Sequence, residues 1–109
     1  MATTYKVLAQ SAPSATTNTD VYTVGAGKST VVSTMAICNR STTSAAFRIA
    51  IRPAGVTLAN QHYIAYDVAV GGNDTTNLTL GITLAATDVV TVYVSTANTS
   101  VSLFGSEIS

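Results

Sequence analysis

Apolar and polar side chains alternate along most of this chain with a period of two, and that alternation selects strands over helices. In Ala46-Phe47-Arg48-Ile49-Ala50-Ile51-Arg52, the large apolar residues Phe47, Ile49 and Ile51 fall on one face of an extended segment, with Arg48 and Arg52 on the other. This predicts a half-buried strand of an antiparallel sheet. In Val89-Val90-Thr91-Val92-Tyr93-Val94-Ser95, Val90, Val92 and Val94 oppose Val89, Thr91 and Tyr93, so both faces are expected to be covered. Near the end, Val101 and Leu103 share a face and Phe104 takes the other, which again predicts packing on both sides.

Further strands are expected over Tyr5 to Ala9, Asp20 to Val24, Val31 to Asn39, Gln61 to Tyr66 and Thr75 to Leu80. Turn signals separate them: Pro53-Ala54-Gly55, Gly71-Gly72-Asn73-Asp74, Ala86-Thr87-Asp88 and Ala97-Asn98. No segment carries a helical pattern. The expected fold is all-β, one antiparallel β-sandwich or jelly-roll-like domain of seven to eight strands spanning residues 1–109. The polar stretch Gln10 to Thr19, QSAPSATTNT, reads as a loop. Residues 1–19 are therefore expected to form an extended N-terminal strand and arm, from which the first ten residues reach a neighbouring subunit.

The stretch Val24-Gly25-Ala26-Gly27-Lys28-Ser29-Thr30 imitates half of a phosphate-binding loop. A complete one needs a first glycine five positions before Gly27, where this chain has Tyr22, and must open into a helix whose N-terminus faces the anion. Instead, this chain continues into the β-branched run from Val31 to Asn39. Gly25-Ala26-Gly27 is accordingly read as a tight connection with positive φ between two strands.

Charged residues make up 9% of the 109 residues and the formal net charge is zero. Five Lys and Arg spread along the chain cannot neutralise a phosphate backbone, so no nucleic-acid partner is expected. With 47% hydrophobic residues and so little charge, part of the surface is expected to be covered by a partner. No apolar run approaches the roughly 20 residues of a membrane-spanning helix, and Met1 to Leu8 lacks the pattern of a secretory signal. Synthesis in a reducing cytoplasm is expected, with no membrane partner. The triplets at Asn39, Asn77 and Asn98 that match a glycosylation acceptor are then incidental.

Catalytic and metal chemistry find few residues to work with. Cys38, His62 and Asp67 are the only set able to supply a nucleophile, a base and an orienting carboxylate, and no family signature surrounds Cys38. Asn73, Asp74 and Asp88 lie in turns and serve there as turn formers as readily as calcium ligands. Asp20, Asp67, Asp74, Asp88 and Glu107 are too scattered for a paired-carboxylate mechanism. The chain is expected to be a binding protein, not an enzyme, without cofactor or metal. Arg40, Arg48 and Arg52, with Tyr63 and Tyr66, are the expected partner-binding residues, because Arg and Tyr are favoured at interfaces.

The succession VYTVGAGKSTVVSTMAICNRS, FRIAIRPAG, YIAYD, LGITLAATDVVTVYVST and VSLFGSEI resembles small all-β virion structural proteins of tailed bacteriophages, including those of cyanobacterial phages. The shared features are a tyrosine-threonine-valine and glycine-lysine opening, a strand ending in asparagine, a leucine-x-x-x-aspartate turn and a phenylalanine-glycine-x-glutamate close. They extend from about Tyr5 to Ile108, and Gly25 stands where many such proteins have proline. The resemblance implies a head decoration or cement protein, made in the host cytoplasm, assembled as a homotrimer on the head surface and bound to the major capsid protein. A neck or tail protein of the same build is the structural alternative. A carbohydrate-binding module for host recognition, using Tyr63 and Tyr66, is the alternative from a different class.

Overall fold

The computed structural model describes residues 2–109, the Leu80 side chain excepted. Eight strands form: β1 (Thr3–Ser11), β2 (Thr19–Thr23), β3 (Ser29–Asn39), β4 (Ala45–Arg52), β5 (Tyr63–Val70), β6 (Thr75–Leu84), β7 (Val89–Val94) and β8 (Thr99–Ile108). They make two antiparallel four-stranded sheets, ordered β1-β8-β3-β6 and β2-β7-β4-β5. Partners are nested, first with last, second with seventh, third with sixth and fourth with fifth, so the chain runs as one long hairpin wound across both sheets.

Ala15 adds a short parallel bridge to Val94, where the Thr16 N–H donates to the Val94 carbonyl at 2.8 Å. Including this bridge, the described residues form nine extended segments, not the seven to eight expected. A polar, proline-bearing stretch gives no alternation by which to recognise a one-residue contact. The N-terminal segment forms the edge strand β1, hydrogen-bonded to β8 of the same chain from Thr3↔Ile108 to Ser11↔Val101.

The alternation read from the sequence sorts the core side chains as expected, but the outward face of β8 is not packed over: Phe104 is 36% exposed, because no described segment crosses it. Val32, Met35 and Ile37 of β3 and Val101 and Leu103 of β8 face Phe47 and Ile49 of β4 and Val90, Val92 and Val94 of β7 in one buried cluster. Full burial of each of the largest of these contributes roughly 1.5–3 kcal/mol, most of it offset by lost conformational entropy. Strand β7 is covered on both faces, because the segment from Pro53 to His62, with its 3-10 turns Pro53–Gly55 and Asn60–His62, crosses the outside of the second sheet. This cover explains why Ala50 and Thr91, at outward positions, are 1% and 2% exposed.

Several strands differ in extent from the sequence reading. Strand β5 begins at Tyr63, after His62 Nδ1 accepts the Ala59 N–H at 3.0 Å and closes a turn. Strands β6 and β8 continue through Gly81 and Gly105 to Leu84 and Ile108. In the first sheet both neighbours of β8 carry one extra residue opposite Phe104, Leu8 in β1 and Ser33 in β3. Such bulges bend a sheet and increase its twist. Residues Val24 to Lys28 form a turn between the two sheets, with Gly27 at φ +74° and the Lys28 N–H donating to the Gly25 carbonyl at 3.2 Å, and Ser29 and Thr30 already belong to β3.

Candidate interaction surface

The outer face of the second sheet gathers charge and aromatic side chains around Arg48. Arg48 lies between the inward Phe47 and Ile49 of β4, and its register partner on β7 is Tyr93. On the opposite flank Phe47 pairs with Val68 and Ile49 with Ala65, so Tyr66 and Asp67 of β5 both stand opposite the single residue Arg48. Asp67 takes φ +51°, the bent backbone of this bulge. The extra residue thereby puts a ring and a carboxylate beside the same guanidinium.

The guanidinium carbon lies 4.2 Å from the centre of the Tyr66 ring and 4.3 Å from that of Tyr93. Both are within cation–π range. Arg48 Nε and Nη2 donate to Asp67 Oδ1 and Oδ2 at 2.6 and 3.3 Å, a two-point pairing that fixes the plane of the group. The hydrogen bond to Asp67 holds the Arg48 pKa above its ordinary value, so the cation persists throughout the physiological range. Tyr63 meets Tyr66 edge to face with ring centres 5.0 Å apart. Ile64, Tyr66 and Val68 line the same edge strand and are exposed. The surface is therefore a rigid arginine between two tyrosines, bordered by an apolar strand edge.

Of the residues expected to bind a partner, Arg48, Tyr63 and Tyr66 come together here. Arg52 and Arg40 stand apart, at opposite ends of the sandwich, and brace their own loops. Arg52 Nε donates to the Val56 carbonyl at 2.9 Å, Nη2 to the Gly55 carbonyl at 3.0 Å and Nη1 to Asp20 Oδ1 at 2.8 Å. This fastens the end of β4 to β2 and to the turn after β4. Arg40 donates to Ser100 Oγ at 2.8 Å and to the Ala97 carbonyl at 3.1 Å, holding the connection between β7 and β8. Tyr93 and Asp67 were not among the expected partner-binding residues. Their sequence signal was parity alone, since Tyr93 faces outward like Arg48, whereas the local pattern carries no information on which strands adjoin.

The remaining candidates for chemistry are dispersed. Cys38 is on β3 of the first sheet, whereas His62 precedes β5 of the second and is engaged in its turn. Asp67 is paired with Arg48. Asp88 accepts the Ala54 and Ala85 N–H groups at 2.9 and 2.8 Å, and Asp74 accepts the Thr75 N–H at 2.8 Å, as turn formers do. Among the described residues no three His, Cys, Asp or Glu side chains converge as a metal site. A second exposed area lies on the first sheet, an open groove of about 470 Å³ lined by Tyr5, Val31, Ser33 and Phe104.

Fold and surface together define an all-β sandwich that presents a preformed arginine–tyrosine patch. No protein-family model, curated protein or solved structure matches the chain.

Proposed function

We propose that the chain is a structural protein of a tailed-phage virion, a head decoration protein that binds the outside of the shell and bridges major capsid proteins. The observation that carries this reading is the Arg48–Tyr66–Tyr93 stack on an otherwise weakly charged surface. Arg and Tyr are the residues that most often concentrate binding energy at interfaces. Here Asp67 and the two rings already hold the guanidinium, so docking costs little side-chain entropy. The nested strand order is that of a jelly roll, an architecture used by viral capsid proteins. In this reading the protein is made in the host cytoplasm, acts as a homotrimer and works without catalysis or cofactor. Many weak, repeated contacts then stabilise the shell by avidity and mass action.

The carbohydrate-binding alternative has less support. A sugar stacks on an open ring face, whereas Tyr66 has one face under Arg48 and stands at 90° to Tyr63.

Binding of the purified chain to heads that lack it tests the proposal. Arg48→Glu and Tyr66→Ala are each expected to weaken binding about tenfold or more, with unchanged thermal stability serving as a check on folding. Wild-type affinity in both variants would remove this surface from the interface. Gold labelling of intact virions with antibody against the chain separates the positions. Label spread over the head supports decoration, and label confined to the neck or tail rejects it in favour of a connector role.

A further inference from the structure

We propose that Glu107 latches the first half of β1, Thr3 to Val7, and that acid opens this latch while the rest of the sandwich stays folded. The inference is independent of the proposed function. It begins from how little else holds this segment. Strand β1 is a sheet edge, so its ladder to β8 is its only strand pairing. Its residues from Thr3 to Val7 are all exposed, Tyr5 at 84%, and only Leu8 and Ala9 pack against the core. Segments with few buried contacts open at low free-energy cost.

One carboxylate supplies the missing side-chain tie. Glu107 Oε1 accepts an ion pair from Lys6 Nζ at 2.6 Å. Its Oε2 accepts a hydrogen bond from the Tyr22 hydroxyl at 2.9 Å, and the Tyr22 hydroxyl oxygen lies 2.8 Å from Thr30 Oγ1. Lys6 belongs to the edge of the first sheet and Tyr22 to the edge of the second, so Glu107 of β8 fastens both at one end of the sandwich. The Glu107 side chain is 14% exposed and that of Lys6 45%, so the pair lies at the surface with its carboxylate end partly covered.

The charged and titratable groups that face Glu107 are Lys6 from β1, Tyr22 from β2 and Lys28 from the turn before β3. Hydrogen bonding to Lys6, and secondarily to Tyr22, lowers the Glu107 pKa below its ordinary value. Burial, above all, raises that of Tyr22, which remains protonated. A carboxylate with a lowered folded pKa contributes stability that is complete above its ordinary pKa, near 4.5, and is lost as pH falls through the folded value. Once protonated, Glu107 retains an acceptor for Tyr22 but no charge for Lys6. The loss therefore falls on β1, and the released strand uncovers the edge of β8 from Phe104 to Ile108.

Amide hydrogen exchange by NMR on the full chain, corrected for intrinsic rates, tests the latch. Protection of the ladder amides in Thr3 to Val7 is expected to fall about fivefold between neutral pH and a pH below the folded Glu107 value, while that of β3 and β4 holds. Glu107→Gln is expected to show the lowered protection at every pH. Lys6→Met, which leaves the Tyr22 bond intact, is expected to lose the pH response as well. The proposal is overturned if β1 protection does not change with pH, or falls only together with that of β3 and β4. It is equally overturned if Lys6→Met retains the wild-type response.

Discussion

Gly105→Ala is expected to lower the melting temperature by about 12 °C or more, corresponding to roughly 3 kcal/mol for a domain of this size. The cause is steric, since Gly105 does not take a positive φ. Opposite β8, strand β3 carries the extra residue Ser33, so Val32 pairs with Gly105 and Thr34 with Phe104. The bulge brings the β3 backbone against Gly105, where a Cβ would overlap the Val31 carbonyl oxygen and crowd the Val32 Cα. Both are main-chain atoms of a central strand, so relief requires moving the ladder itself, the costly form of overpacking. Gly81→Ala is the control, because a Cβ there meets nothing within 4 Å. It is expected to be neutral or slightly stabilising through the unfolded chain. Thermal unfolding by circular dichroism measures both, and a Gly105→Ala melting point within about 3 °C of wild type would refute the steric account.

Asn39→Ala is expected to cost about 3 kcal/mol, a large effect for a residue with no catalytic or binding assignment. Asn39 ends β3 with its side chain at 1% exposure. Its Nδ2 donates to the carbonyls of Thr43, Val70 and Gly71 at 2.7, 3.2 and 3.3 Å, and its Oδ1 accepts the Ser41 N–H and hydroxyl at 3.0 and 2.9 Å. One amide thus joins the loop after β3 to the loop after β5, which approach so closely that a Cβ on Gly72 would overlap the Thr42 carbonyl. Alanine leaves both loops without this bridge. Asn39→Asp, which turns a carboxylate toward those three carbonyl oxygens, is expected to destabilise more at neutral pH than in mild acid. Urea unfolding at two pH values reads the difference. An Asn39→Ala midpoint equal to wild type would show that the loops hold each other without the amide.

The inward parity of Asn39 was visible in the sequence, since it continues the series Met35, Ile37, Asn39. An asparagine on the buried face of a strand signals a side chain satisfied by backbone, and that signal was available. Its partners were not, because Thr43 is local but Val70 and Gly71, the end of β5 and the first residue after it, lie more than 30 residues away. Arg48 shows the same division. Its outward direction followed from Phe47 and Ile49 on either side, and Tyr66 was a candidate on residue type. Their contact depends on the Tyr66–Asp67 bulge in β5, and bulges interrupt the very alternation from which strands are recognised.

The sequence by itself determined that this chain is all-β, that Phe47, Ile49, Val90, Val92, Val94, Val101 and Leu103 face its core, where most of its turns fall, and that Gly25-Ala26-Gly27 is a connection between strands. Those properties depend on steric preferences and side-chain parity over a few neighbouring residues, and so they are local. Tertiary structure alone decided which strands are neighbours, where Leu8 and Ser33 bend the first sheet, and how β4, β5 and β7 bring Arg48, Tyr66, Asp67 and Tyr93 together. It also decided that Arg52 braces a turn while Arg48, four residues earlier on the same strand face, stands between two tyrosines. Register and adjacency arise from the packing of distant segments against one another, and no short window of sequence contains that competition.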